Sequence, residues 1–373
     1  MKTDLYIGAE WKAGADGERI SVLDPATGEE FASVAAGTPA DAHNACDVAA
    51  AAQKTWAKVA PRDRSEILRN CWSVLLDHTD ELAEIIVREN GKPLADAKGE
   101  VAYAAEFFRW NAEETVRIKG SIGTAPSGAN KIIVHHPPVG VVVMVTPWNF
   151  PAAMITRKVA PALGAGNAVV IKPPKETPLT ALRVAELLTE AGVPPGVVNV
   201  VPTANAGSWF DAAVDHQSVR MVSFTGSTEV GRVLLRRTAD RVLKVAMELG
   251  GNAPFIVFGD ADIDAAVDGA MMAKMRHSAE TCTAANRFFV ERSVADEFTQ
   301  RLAAAMAEVK LGNGMDVGVG CGPLINAKAV ADVSALVDGA VAAGAQTVLG
   351  GNALQGKGFF FEPTVLADVA ADS

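Results

Sequence analysis

The chain has 373 residues, 49% of them hydrophobic and 21% charged, which is the profile of a folded protein long enough for two or three domains. A net charge of −10 leaves no general basic surface for nucleic acid or an anionic membrane, so an anionic ligand has to be held by local Lys, Arg or backbone N–H groups. Met1-Lys2-Thr3-Asp4-Leu5 carries charge where an export signal needs an apolar core, and the longest apolar run, Val139–Val145, is too short to span a bilayer. A cytoplasmic protein without a membrane partner is expected.

Residues 1–35 read as short extended pieces and turns, with Asp24-Pro25-Ala26-Thr27-Gly28 the clearest turn. Apolar residues then recur at three and four positions near 39–58, 62–88 and 94–116, which predicts three helices of an outer layer. Arg117–His136, with Gly120, Gly123, Pro126 and Gly128, breaks that pattern and reads as an extended arm suited to pairing with another subunit. Four apolar runs follow as buried parallel strands: Val141–Val145, Ala168–Ile171, Val197–Val201 and Met221–Phe224. Helical stretches at Ala152–Leu163, Leu179–Ala191 and Ala206–Val214 separate them. The alternation predicts a doubly wound α/β domain, whose ligands lie at the carboxyl ends of the strands.

The loops at those ends are therefore the places to look for function. The first holds Thr146-Pro147-Trp148-Asn149-Phe150-Pro151, and the second Lys172-Pro173-Pro174-Lys175-Glu176-Thr177-Pro178. The fourth strand leads into Thr225-Gly226-Ser227-Thr228-Glu229-Val230-Gly231, a glycine-bracketed turn opening a helix, where free N–H groups and the helix dipole favour a phosphate. With Lys172 and Lys175 beside it to meet ribose hydroxyls or phosphate, the set argues for a dinucleotide across the sheet edge.

A second α/β pattern starts at Glu248-Leu249-Gly250-Gly251-Asn252-Ala253-Pro254 and runs through strand Phe255–Phe258, a helix capped by Asp262, strand Phe288–Val290 and helix Val294–Val309. Helix Ala327–Ala343, strand Thr347–Gly350 and an extended Phe359–Leu366 complete it. Between helix and strand lies Ser278-Ala279-Glu280-Thr281-Cys282-Thr283-Ala284-Ala285-Asn286-Arg287. A cysteine at such a junction has its thiol near solvent and near backbone N–H groups, as a nucleophilic thiolate requires. Cys46 and Cys71 sit in helical patterns as packing residues, and Cys321 lies in a Gly-Cys-Gly turn. The four cysteines show neither metal spacing nor a disulfide framework, and His135-His136 in an extended segment point to opposite faces; no metal is expected.

Taken together, Thr-Pro-Trp-Asn-Phe-Pro, Phe-Thr-Gly-Ser-Thr-Glu-Val-Gly, Glu-Leu-Gly-Gly-Asn-Ala-Pro-Phe and the cysteine stretch resemble the NAD(P)-dependent aldehyde dehydrogenases, most of all their succinate-semialdehyde dehydrogenase branch. The resemblance runs in order from about residue 5 to the end. It implies a dinucleotide-binding domain over 1–116 and 138–248, an oligomerisation arm over 117–137, and an incomplete catalytic domain over 249–373, with a homodimer or homotetramer as the family's usual assembly. It makes Cys282 the nucleophile, Glu248 the general base and Asn149 the oxyanion donor. Cofactor contacts are implied for Thr146, Trp148, Asn149, Lys172, Lys175, Gly226, Ser227 and Leu249. NAD-preferring members tend to carry glutamate where this chain has Lys175, so NADP is expected over NAD. Arg157 and Arg276 match the arginines with which the branch holds its substrate's far carboxylate, and a guanidinium can grip a carboxylate with paired hydrogen bonds.

The chain departs from the family pattern at two places. Ala279-Glu280 stands where Gly-Gln is usual, and a carboxylate so close to Cys282 raises a thiol pKa unless it points away. Ala284 replaces the second cysteine of redox-switched members, so no disulfide switch is expected. Family members also continue past the Phe-Glu-Pro-Thr-Val-Leu stretch. The resemblance therefore predicts a fragment or a shortened member of impaired activity, with Phe359, Phe360 and Phe361 as an exposed apolar edge. Two other readings stay open: action on a different aldehyde, with Arg157 and Arg276 as structural ion pairs, and a non-catalytic dinucleotide-binding pseudoenzyme.

Overall fold

Residues 2–370 are described by the computed structural model, and they fold as two units. Within the described residues the first comprises 2–21, 33–82 and 100–249; the second comprises 22–32, 83–99 and 250–370.

In the first unit the apolar runs form the middle of a seven-stranded sheet. Its order is Lys244–Leu249, Val219–Gly226, Val141–Val145, Ala168–Lys172, Val198–Val200, Leu5–Ile7 and Glu10–Lys12. The first five are parallel, and Leu5–Ile7 is antiparallel to both Val198–Val200 and Glu10–Lys12. Every residue of Val141–Val145 and Ala168–Lys172 is buried, which is why these strands are continuous Val/Ile runs without alternation. Val143 pairs with Val170 on one side and Val222 on the other, and these three join Trp209, Phe210 and Ala45 in the core. Chain order reverses at Val141–Val145, which has the next strand on one side and the fourth on the other; this is the switch point where an α/β sheet opens a crevice.

Two elements differ from the sequence reading. Lys244–Leu249 is a fifth parallel strand, not anticipated because it is an edge strand exposed at both ends, with no buried stripe to betray it. The helix expected over 62–88 is two, Pro61–Asp77 and Thr79–Asn90. His78 Nδ1 lies 2.8 Å from the Val74 carbonyl and Thr79 Oγ1 donates to that of Leu76 at 2.7 Å, side-chain bonds that compete with the helical ladder. The arm is an antiparallel hairpin, Ser121–Thr124 with Lys131–Val134, exposed at every position. Among the described residues no helix is long and apolar enough to cross a membrane.

In the second unit Ala253–Val257 pairs in parallel with Ala285–Val290. Helices Ile263–Met275 and Ala295–Ala307 pack through Val267, Phe298, Leu302 and Met306. Asp262 caps the first of them, accepting the Ala265 N–H at 3.1 Å, as its sequence position predicts. Helix Ala327–Ala342 and an antiparallel pair, Gln346–Leu349 with Val365–Ala367, follow. Phe359–Phe361 is not an exposed edge. Phe361 is buried and its two neighbours half-buried, because the Phe359 N–H donates to the Pro25 carbonyl, its carbonyl accepts the Leu324 N–H, and its ring lies over Gly28.

Candidate active site

The loops after strands Val141–Val145, Ala168–Lys172 and Val219–Gly226 enclose a cleft of about 360 Å³ at the carboxyl end of the first unit's sheet. Thr146, Trp148, Lys172, Lys175, Gly226 and Ser227, named from their sequence positions, all line it. Gly226 cannot be replaced without movement, since a Cβ there would lie 2.5 Å from the Phe224 ring. Ser227 caps helix Thr228–Ala239, accepting the Val230 N–H at 3.3 Å, so the positive helix end opens on the cleft. Gly231, one turn in, lets the helix lie against Leu249, whose side chain would be 2.6 Å from an added Cβ.

Two observations fit this cleft to a dinucleotide. The Thr146 and Thr225 hydroxyls are buried in its wall and have no hydrogen-bond partner among the described residues, an arrangement that costs free energy until a ligand satisfies it. Lys172 is buried with its Nζ donating to the Pro173 carbonyl at 2.9 Å, and burial pulls its pKa down to about 8. Lys175 is exposed and forms no ion pair with Glu176 or any other carboxylate among the described residues.

Glu248 and Leu249 do not line the cleft. They lie at the carboxyl end of the edge strand, in register with Thr225 and Gly226, and both are exposed. Asn149 is half-buried, next to Trp148 in the first loop. The chain then enters helix Ala153–Gly164, whose first N–H groups, Ala152 and Ala153, donate to the buried Glu100 carboxylate at 2.8 and 3.2 Å. That helix carries Arg157, half-buried, its guanidinium 5.7 Å from the Phe107 ring centroid and 3.9 Å from the Met154 sulfur. Arg157 has no carboxylate partner among the described residues. Lys158 is buried and donates to the Ser223 hydroxyl at 2.8 Å; burial and then Arg157 pull its pKa down to about 8, against the charge of Glu248. Neither Glu100 nor Lys158 was singled out from the sequence: a lysine beside an arginine reads as a surface pair, and only the fold buries it.

In the second unit the junction expected at Cys282 is present, and the thiol-bearing residue is exposed while Cys46, Cys71 and Cys321 are buried; all four are free. Burial pushes the Cys46 thiol up to about 12 and the Cys321 thiol up to about 11, which keeps both inert near neutral pH. The approach to Cys282 is unusual. His277, Ser278 and Ala279 hold φ of 52°, 53° and 65°, three consecutive left-handed residues with no glycine among them. The turn is held by the His277 N–H donating to Asp96 at 3.0 Å and by Ser278 Oγ accepting the Gly322 N–H at 2.9 Å. Burial raises the Asp96 carboxyl, and burial with Lys92 and Arg276 pulls His277 down to about 3, so the imidazole is neutral at working pH. Glu280 is engaged, accepting from Asn90 Nδ2 at 2.9 Å. Arg276 is exposed and forms no ion pair among the described residues.

Among the described residues one cluster has a metal-binding composition: His43, Asp47 and His216, with ligand atoms within 4.8 Å of one another. Its hydrogen bonds argue for a different role. His216 Nδ1 accepts the Ser218 N–H at 3.2 Å, so its proton sits on Nε2 and is donated to Asp47 at 3.0 Å; the His216 ring turns no lone pair toward the cluster.

The model of the aldehyde dehydrogenase family matches residues 11–373. A succinate-semialdehyde dehydrogenase of Paenarthrobacter nicotinovorans is 53% identical over 339 residues, 91% of this chain and 75% of that protein. An NADP(+) succinate-semialdehyde dehydrogenase of Escherichia coli is 46% identical, covering 100% of this chain and 77% of its own, and a glutarate-semialdehyde dehydrogenase of Pseudomonas putida is also 46% identical, over 99% and 76%. The crystal structure of a Burkholderia pseudomallei succinate-semialdehyde dehydrogenase superposes with a TM-score of 0.97 at 46% identity, over 100% of this chain and 77% of that one.

Proposed function

This chain belongs to the aldehyde dehydrogenase family, and on that premise we propose that it oxidises succinate semialdehyde, or its one-carbon-longer homologue glutarate semialdehyde, with NADP preferred over NAD. It is an NAD(P)-dependent enzyme that converts an aldehyde to its carboxylic acid. The observation that carries the substrate is Arg157: a half-buried guanidinium held on the face of Phe107, with no carboxylate among the described residues to neutralise it. A substrate bearing a second, distal carboxylate supplies that partner, and Arg276, exposed and also without an ion pair, adds a second cation.

In this reading Cys282 attacks the aldehyde carbon as thiolate, and the alkoxide so formed takes hydrogen bonds from the Asn149 amide and the Cys282 N–H. Donors aimed where charge develops are worth roughly 3–4 kcal/mol each. A bound nicotinamide would supply the hydride acceptor that the tetrahedral carbon needs. The thioester left on Cys282 is hydrolysed by a water that Glu248 deprotonates, which releases the acid and restores the thiol. The buried hydroxyls of Thr146 and Thr225, the Lys172 amine and the capped helix end at Ser227 would hold the dinucleotide. Lys175, exposed and without an ion pair, would meet a 2′-phosphate. On this proposal the first unit is the cofactor domain, the second the catalytic one, and the exposed hairpin Ser121–Thr124/Lys131–Val134 the arm of a homo-oligomer of cytoplasmic location.

The test is the appearance of reduced-nicotinamide absorbance with succinate semialdehyde and NADP, run beside NAD and beside an uncharged aliphatic aldehyde, with Cys282→Ala as the blank. A signal lost in the variant, larger with NADP and larger with the acid-aldehyde, is expected. An equal kcat/KM for the uncharged aldehyde would remove the role given to Arg157, and a higher kcat/KM with NAD the role given to Lys175.

A further inference from the structure

A second cleft, of about 310 Å³, lies in the first unit, lined by the turn between its first two long helices and by both ends of the arm. Its wall carries Lys58, Arg64, Lys119, His135 and His136 and no acidic residue. In a chain of net charge −10 that is a local inversion of sign. Neither lysine forms an ion pair among the described residues. Arg64 is only 6% exposed, and it too lacks a carboxylate partner. Its Nε donates to the Gly164 carbonyl at 3.1 Å and its Nη1 to that of Val59 at 2.6 Å, while Nη2 bonds to no atom among the described residues. Capping two carbonyls explains the first two bonds and leaves the third nitrogen, and the buried charge, without a partner. Helix Pro61–Asp77 begins at the same wall, and its N-cap, Ala60, offers no side-chain acceptor to the first-turn N–H groups.

We infer that this cleft binds a compact phosphate-type oxyanion, inorganic phosphate or a small phosphate ester. With Nε and Nη1 already donating to carbonyls, Arg64 offers the anion a single nitrogen, Nη2. That nitrogen, two lysines and a helix end bring several positive charges to one small cleft, which suits a multiply charged oxyanion such as phosphate. The volume is at the lower end of the roughly 300–1,000 Å³ of small-molecule pockets, enough for a phosphate with a small organic body.

The test titrates inorganic phosphate into the full chain at constant ionic strength, followed by calorimetry and by phosphorus NMR line width. Saturable binding is expected, weakened about tenfold or more in the double variant Lys58→Glu with Lys119→Glu. Both lysines are exposed, so that variant keeps the fold. Arg64→Lys, which keeps the charge and loses the planar donor set, should weaken binding as well. Lys175→Glu, in the other cleft, should leave this binding unchanged. Absence of saturable binding, indifference to the double variant, or loss of binding in Lys175→Glu would each overturn the assignment, and so would a succinate dianion that binds more tightly than phosphate.

Discussion

Replacing Lys158 by Met tests how the interior beside Glu248 handles a buried positive charge. The native amine has its pKa drawn from 10.5 to about 8, chiefly by burial. A gap of that size corresponds to about 3 kcal/mol of native-state penalty wherever the group is protonated in both folded and unfolded chains, that is below pH ~8. Above the folded value the native amine is neutral while the unfolded one still binds a proton, so stability rises with pH through this window and the penalty is gone near the unfolded value. Methionine keeps the apolar stem and removes the charge, but it strands the Ser223 hydroxyl, 8% exposed, at a cost of about 1–3 kcal/mol. At pH 7 the two effects nearly cancel, and the wild type and variant should have similar denaturant midpoints. Between pH 7 and 10.5 the wild type should gain about 3 kcal/mol on the variant. Lys172, drawn down to about 8 by its own burial, is present in both proteins and drops out of the difference. Urea unfolding of both proteins across that pH range measures it. A difference that stays flat would refute the buried-charge account of Lys158.

Three further outcomes are expected. Lys175→Glu should lower the NADP-to-NAD ratio of kcat/KM by about 10²–10³, because an exposed attraction to a 2′-phosphate becomes a repulsion; steady-state kinetics with each cofactor measure this. Arg157→Ala should raise KM for succinate semialdehyde by about tenfold or more and leave an uncharged aldehyde within about threefold. Ala279→Gly should stabilise the chain by about 1 kcal/mol, since φ of 65° is strained for alanine and free for glycine; thermal unfolding reads it as a raised Tm.

The residues of the first cleft were legible because each motif is local. The Val/Ile runs state where the strands are, and the end of each strand places the loop that follows at one edge of the sheet, so Thr146, Trp148, Lys172, Lys175, Gly226 and Ser227 come together once the strand order is known. Asp262 as a cap and Cys282 at an exposed junction are local in the same sense. The edge strand Lys244–Leu249 left a weaker trace, because a strand exposed at both ends has no buried face to write a pattern. What the sequence could not state is burial and partnership across long separations. Whether Lys158 is a surface lysine or a buried amine depends on Ser223 and on the sheet beneath it, and whether Phe359 is an exposed edge or a packed ring depends on Pro25 and Gly28. The left-handed run before Cys282 is set by Asp96 and Gly322. Secondary structure and loop position follow from neighbours along the chain, whereas the charge state of a buried group and the strain of a turn follow from whichever distant atoms the fold brings to them. For that reason the sequence alone determined the reaction class, and the tertiary structure decided which charges lie buried and which backbone carries the strain.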